Sequence, residues 1–271
     1  MAKARRQVTE NLKLVDVVVE LLDARIPASS RNPMINEILG LKPRLTVLNK
    51  ADLADEQVTR EWASKLGTGG VFALALNSVQ GQGMNQVPHA ARELAAPVMA
   101  ARAAKGIRPR AVRAMIIGIP NVGKSSFINR LTGGNRAKTG DKPGVTRGPQ
   151  WVKVNPDFEL LDTPGILWPK FEDPEVGVKL ALTGAISDLV IDTEDLASKL
   201  LELVAVVKPD ALRQRYKLES LASQGIETLE MVGRRRGLLV HGGEVDLSKA
   251  AVLVLKEYRE GLLGRITLDH P

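Results

Sequence analysis

Apolar residues fall in two patterns along the chain, and each predicts a different kind of element. In the first two thirds they come as short unbroken runs, at residues 17–22, 45–48, 71–76, 112–117 and 158–161, with helical or loop segments between them. Strands buried on both faces need such runs, so the pattern predicts a mostly parallel sheet covered by helices on each side. A polar residue or glycine follows each run at once: Asp23, Asn49, Asn77-Ser78, Gly118 and Asp162. Open parallel sheets bind ligands beyond the carboxyl ends of their strands, so these residues are expected to converge on one edge.

Beyond Pro174 the spacing becomes helical. Asp192 can cap a segment in which Leu196, Leu200, Leu203 and Val207 share one face, and Asp246 another with Leu247, Ala251, Leu255 and Tyr258. These stripes predict a packed helical core, so the expected architecture is an α/β domain over residues 1–175 and a small all-α domain over 176–271. A chain of 271 residues, 44% apolar, can bury two such cores. The run at 14–22 is broken by Asp16 and Glu20, and no uncharged stretch reaches the roughly eighteen residues of a membrane span. A soluble cytoplasmic chain with no membrane partner is expected. The absence of cysteine excludes disulfides and thiolate zinc sites, and His89, His241 and His270 are too dispersed to suggest a metal cluster.

The net charge of +7 is unevenly distributed. Residues 98–153 hold twelve Lys and Arg against one acidic residue, whereas residues 176–271 hold thirteen against fourteen. A polyanionic partner would therefore meet the half around the glycine-rich loop. Aromatics are only 3%, so stacking platforms for single strands are not evident, and folded RNA read through phosphates and shape fits better.

The chemistry lies in three motifs. Residues 118–125, Gly-Ile-Pro-Asn-Val-Gly-Lys-Ser, match the phosphate-loop pattern GxxxxGK[ST] between a strand-like run and a helix-like segment. Pro120, Asn121, Val122, Gly123, Lys124, Ser125 and Ser126 are the candidate phosphate-binding residues, with the glycines letting backbone amides curl around the phosphates. Lys124 would neutralise β- and γ-oxygens, and Ser125 would hold Mg²⁺. Asp162-Thr163-Pro164-Gly165 begins DxxG, which puts Asp162 near the Mg²⁺ shell and the Gly165 amide at the γ-phosphate. Thr146, in the Gly- and charge-rich stretch 133–150, is the candidate second Mg²⁺ ligand. Asn49-Lys50-Ala51-Asp52 supplies base selection. Asp52 can accept from guanine N1 and N2, Asn49 can tie the base to the phosphate loop, the Lys50 stem can cover the ring, and Asn77-Ser78 stands where a further guanine contact is expected. Adenine lacks the paired donors and would strand the carboxylate, so the set predicts GTP and GDP as ligands rather than ATP.

The order of the motifs is reversed from that of ordinary GTPases, because the base-reading residues precede the phosphate loop. With Asp23-Ala24-Arg25-Ile26-Pro27, Pro143-Gly144-Val145-Thr146 and Asp162-Thr163-Pro164-Gly165, this order resembles the circularly permuted ribosome-assembly GTPases, above all the ribosome biogenesis GTPase A (RbgA/YlqF) family. The resemblance covers essentially the whole chain, since Arg234-Arg235-Arg236-Gly237, residues 241–246 and Gly264-Arg265-Ile266 also resemble that family's helical tail. It implies a circularly permuted P-loop GTPase domain and a switch in late assembly of the large ribosomal subunit. Such a switch binds the precursor particle and its rRNA in the GTP state and is released after hydrolysis, which the particle stimulates. A monomer is expected. Asp23 and Arg25 belong to a segment characteristic of the family and are auxiliary candidates, against the reading of a surface pair at a strand end.

Two departures bear on catalysis. Ile166 follows Gly165 where small regulatory GTPases place a water-orienting glutamine. The resembling family also carries a histidine in a short segment ahead of its Met-Ala-Lys-Ala, and the sequence starts at Met1-Ala2-Lys3-Ala4; a late-assigned start or slow intrinsic hydrolysis is expected. Asn121 resembles the asparagine of potassium-activated GTPases, so K⁺ is a candidate cofactor and Asn121, with Lys124 and Thr146, a candidate catalytic residue. In the tail, Arg234, Arg235 and Arg236 are the candidate RNA contacts. The alternative reading is an RNA-binding assembly scaffold with a nucleotide-binding but hydrolytically weak site.

Overall fold

A computed structural model describes residues 2–67, 73–134, 150–163 and 173–271, without the side chains of residues 2–5. Among them, six strands form one sheet in the order β3-β2-β1-β4-β6-β5. Their ranges are β1 Val17–Asp23, β2 Arg44–Asn49, β3 Ala73–Ala75, β4 Val112–Gly118, β5 Gln150–Asn155 and β6 Phe158–Asp162. The first four and β6 run parallel, and β5 returns antiparallel along the β6 edge. The sheet is thus mostly parallel, as the apolar runs require. β5 was not among the expected strands, and Gln150, placed in a loop by the sequence, is its first residue. Only one of its faces is covered: Val152 is buried while Trp151 and Lys153 are exposed, so it has no unbroken apolar run.

Every residue of β1 is buried, and its side chains feed three apolar clusters on the two faces of the sheet. Val17, Val19 and Leu21 pack with Ile116, Phe127 and Ile128, beneath α4 (Gln86–Ala104) and α5 (Lys124–Thr132). Val18 joins Met115, Ile117 and Leu161 under α1 (Ala2–Leu12) and α2 (Pro33–Leu39), while Leu22 meets Leu48 and Trp62 of α3 (Glu56–Leu66). The two acids that interrupt the apolar run are buried and paired. Arg110 grips Asp16 with both terminal nitrogens (2.7 and 2.9 Å), and Arg31 and Arg44 each lie 3.4 Å from Glu20.

From Pro174 onward the described structure is helical: α6 (Pro174–Leu182), a 3-10 turn at Asp188–Val190, α7 (Thr193–Val207), α8 (Pro209–Tyr216), α9 (Gly225–Arg236) and α10 (Leu247–Arg259). Asp192 and Asp246 cap α7 and α10 as expected, accepting from Glu194 and Asp195 and from Lys249. The buried stripe of α7 is Leu196, Ala197, Leu200, Leu201 and Val204. Leu203 and Val207 sit at its margin, so the core face is turned from the one their spacing implied. One continuous apolar cluster joins these helices to β1 and β4.

Candidate nucleotide site

The chain passes from β1 to β2 and β3 on one side, then returns to place β4 and β6 on the other. This creates a switch point at the carboxyl ends of β1 and β4, where doubly wound sheets hold their ligands. Asp23 registers with Asn49 and Leu21 with Gly118, so the ends of β1, β2 and β4 line up.

The phosphate loop leaves β4 at Gly118, where a Cβ would stand 2.7 Å from the Leu21 carbonyl. Gly123, at φ +100°, precedes α5, and a Cβ there would lie 2.4 Å from Asn49 Nδ2. The second glycine is thus demanded by the Asn49 side chain pressed against it as well as by its backbone. Ser125 and Ser126 fall in the first turn of α5, where unpaired amides and the helix dipole favour an anion. Lys124 is buried, and its ammonium donates to the carbonyls of Gly118 (3.1 Å) and Ile119 (2.9 Å). Burial pushes it down to about 8, against the opposing charge of Asp162.

Asn49 joins three segments with one side chain. Its amide donates to the Val122 carbonyl (2.8 Å) in the phosphate loop, and its Oδ1 accepts from the Ser78 amide (3.1 Å) and hydroxyl (2.5 Å). The Asn77 Oδ1 accepts from the amides of Val79 and Gln80 and so shapes the turn that presents Ser78. Lys50, left-handed at φ +60°, donates to the Asn121 carbonyl (2.7 Å) and to Asp23 Oδ2 (3.0 Å). Burial lowers its ammonium below the usual lysine range, and Asp23 opposes that shift. A Leu53 amide to Lys50 carbonyl bond (2.9 Å) closes the turn on which Asp52 sits half-buried, near enough for its charge to act on Lys50 and Arg25.

Asp23 and Arg25 are no surface pair. Both are 1% exposed; Arg25 Nε and a terminal nitrogen donate to the two Asp23 oxygens at 2.9 and 2.7 Å, and the guanidinium lies 5.4 Å from the Tyr258 ring centroid on α10. Burial alone would raise the Asp23 carboxyl, but Arg25 and Lys50 hold it well below the usual carboxylate range. Asn121, also left-handed at φ +56°, donates its side-chain amide to the Gly184 carbonyl (2.7 Å) just after α6, so the phosphate loop touches the helical part directly.

Asp162 ends β6, 4% exposed, and its charge acts on Lys124. Carboxylate and hydroxyl oxygens, such as those of Asp162 and Ser125 at the start of α5, are of the hard type that Mg²⁺ takes beside phosphates. Thr146 and Gly165, like Ile166, lie outside the described residues. Arg234, Arg235 and Arg236 form the last turn of α9, far in the chain from these loops, where cations also favour the helix dipole. They are not equivalent. Arg236 reaches Glu257 (3.3 Å) and stacks 5.4 Å from the Tyr216 ring centroid, whereas Arg234 and Arg235 are exposed with no ion pair among the described residues.

A second set of contacts on the turn after Asn49 has almost no signal in the sequence. Arg265, after α10, donates to the carbonyls of Ala54 (2.7 Å) and Ala51 (2.9 Å). Its only sequence signal was the short Gly264-Arg265-Ile266 resemblance, which assigned it no role.

A family model described as "50S ribosome-binding GTPase" matches residues 113–227, beginning after the base-reading motif as a reversed order requires. A Ribosome biogenesis GTPase A of Bacillus cereus is 52% identical over all of this chain and 92% of its own length. A Mitochondrial ribosome-associated GTPase 1 of Mus musculus is 37% identical over 99% of this chain and 88% of its own. Among solved structures, GNP-bound YlqF from Thermotoga maritima superposes with a TM-score of 0.70 at 28% identity, covering 99% of this chain and 98% of that one.

Proposed function

The chain belongs to the ribosome biogenesis GTPase A family, a circularly permuted GTPase of ribosome biogenesis, and on that premise we propose that it engages a precursor of the large ribosomal subunit through rRNA while GTP is bound. Hydrolysis, stimulated by the particle, then releases it. The observation that carries this reading is the Asn49 side chain, which binds the phosphate loop at Val122 and the Ser78 loop at once. That bridge supports a single site built from base-reading and phosphate-binding elements that lie far apart in the chain.

In this reading Asp52 takes the guanine N1 and N2 protons, the Lys50 stem covers the ring, and Asn77-Ser78 frame its edge. The amides of residues 121–126 and the α5 N-terminus hold the β-phosphate, and Lys124 exchanges its carbonyl partners for phosphate oxygens. Ser125 and Asp162, with Thr146, would hold Mg²⁺, which supplies charge to the β- and γ-oxygens when bound. Gly165 would offer its amide to the γ-phosphate. Asn121 would set K⁺ near the bridging oxygen, beside its bond to Gly184. Through that bond and the Arg25–Tyr258 stack, a change at the phosphates would reach the domain we assign to residues 176–271, whose Arg234 and Arg235 are offered to rRNA.

A switch requires that the particle bind the GTP form better than the GDP form. Retention on purified large subunits should be stronger with a non-hydrolysable GTP analogue than with GDP, and subunits should accelerate turnover. Equal retention rejects the switch, and unaltered turnover with intact retention favours a scaffold instead.

A further inference from the structure

The segment that follows α10 lies along the base-reading turn. It turns at Gly261 (φ +77°), where a Cβ would come 2.6 Å from Leu53 Cδ2, and again at Gly264 (φ +88°). Arg265 then donates Nε to the Ala54 carbonyl (2.7 Å) and a terminal nitrogen to the Ala51 carbonyl (2.9 Å). The Ile266 amide donates to the Leu53 carbonyl (3.0 Å), and the Thr267 hydroxyl accepts from the Asp55 amide (3.0 Å). Beyond these, the Leu268 amide donates to the Arg25 carbonyl (2.8 Å). The Asp269 carboxylate accepts from the Ser29 amide (2.7 Å) and hydroxyl (2.9 Å) and pairs with Lys179 (3.0 Å).

These bonds fall on both flanks of Asp52. The turn needs support from outside, because it opens on a left-handed Lys50, a conformation costly for a residue with a side chain. The carbonyls on its flanks, of Ala51 and Ala54, both accept from Arg265. A planar guanidinium is suited to bridge two such acceptors at a fixed spacing, as a lysine ammonium is not. Ile266, Thr267, Leu268 and Asp269 are all buried, which marks the segment as packed structure and not a loose tail lying across the surface.

We infer that Arg265, with Thr267, is a positioning residue for guanine specificity: the segment after α10 braces residues 51–55 so that the Asp52 carboxylate meets both edge donors of the base in plane. The inference rests on Asp52 reading guanine. Paired hydrogen bonds to one carboxylate weaken steeply as either bends from line, so a turn free to tilt loses the second bond first. The 2-amino group is the donor that separates guanine from hypoxanthine, so loss of the brace compresses the preference for GDP over IDP.

GDP and IDP binding to the full chain, measured by calorimetry for the native protein, Arg265→Ala, Arg265→Lys, Thr267→Val and Asp52→Asn, tests this. Asp52→Asn sets the scale by removing the reading carboxylate. Arg265→Ala should reduce the GDP/IDP affinity ratio about tenfold, the worth of one charge-assisted hydrogen bond. Arg265→Lys should fall between, Thr267→Val should move the ratio the same way by less, and Arg265→Ala should add little to Asp52→Asn. A role in stability alone would weaken GDP and IDP by the same factor, and that result, or an unchanged ratio in Arg265→Ala, overturns the inference. If Arg265→Ala does not fold, the ratio in Thr267→Val decides, and an unchanged ratio there overturns it. An unchanged ratio in Asp52→Asn instead refutes the assignment of Asp52 and removes the inference with it.

Discussion

Raising the pH from about 7.5 to about 9 carries Lys124 through its titration, because burial has brought its ammonium down to about 8. Without nucleotide its charge faces, among the described residues, the carbonyls of Gly118 and Ile119 and the field of Asp162. Phosphate oxygens would favour the charged form strongly, so binding at alkaline pH must be accompanied by proton uptake. One pH unit above its midpoint about one molecule in ten retains the proton, so by linkage GDP affinity should fall about tenfold between pH 7 and pH 9. Isothermal calorimetry in two buffers of different ionisation enthalpy measures both the affinity and the proton taken up. Lys124→Arg is the control, since an arginine does not titrate in this window. Its affinity should be lower overall but level with pH. A native GDP affinity that is level from pH 7.5 to 9, or one that falls in parallel with Lys124→Arg, refutes the reasoning. The same shift has an effect on folding: the unfolded chain binds this proton more tightly, so the Lys124 contribution to nucleotide-free stability rises with pH from about 8 towards 10.5.

Gly123→Ala should abolish measurable GDP binding while the far-ultraviolet circular dichroism stays native, because the new Cβ meets Asn49 Nδ2 at 2.4 Å; nucleotide affinity within threefold of native, roughly 0.7 kcal/mol, would contradict the close approach. Arg25→Ala leaves Asp23 buried beside Lys50 alone and should cost about 3–5 kcal/mol in urea unfolding. Since the Asp23 carboxyl is held below its ordinary value of 3.8, its stabilisation is present above that pH and is lost as acid is added; the native midpoint should fall faster below about pH 4 than that of Asp23→Asn. Arg234→Ala with Arg235→Ala should weaken binding to large subunits and flatten its salt dependence with GDP affinity intact, whereas Arg236→Ala should also lower the thermal midpoint through Glu257 and Tyr216; unchanged salt dependence in the double variant removes the RNA assignment. Replacing K⁺ by Na⁺ should slow GTP turnover, and equal rates remove K⁺ from the site.

The strands around the switch point were legible because burial on both faces imposes a pattern that few other elements share. β1, β2, β4 and β6 fall within a residue of the apolar runs that predict them, and β3 lies within its run, of which residues 71 and 72 are outside the described residues. β5 was not legible, since an edge strand covered on one face alternates Trp151, Val152 and Lys153 without any unbroken run. Asn49 could be paired with the phosphate loop from its motif alone, because the chemistry of a bound nucleotide requires both. The burial of Asp23 and Arg25 could not be read, as the same dipeptide spacing serves an exposed turn equally well. Arg265 was hidden for another reason: it bonds backbone carbonyls, which every residue carries, so no partner residue types betray the contact. The dissimilarity of Arg236 from its two neighbours likewise comes from Glu257 and Tyr216, which only the packing of α8, α9 and α10 brings near.

The place of β1 in the sheet bears on how the chain comes into being. It precedes the other described strands in the chain, yet one of its two neighbours, β4, is translated only after α4. During synthesis β1 therefore keeps one edge of backbone N–H and C=O groups without its mate, and an open edge of this kind invites pairing with other chains. Nucleotide binding has to wait as well, since Asn49 emerges before the Val122 it must hold. Newly made molecules should thus be vulnerable to aggregation until the phosphate loop leaves the exit tunnel, and slowing elongation between residues 50 and 112 should lengthen that exposure.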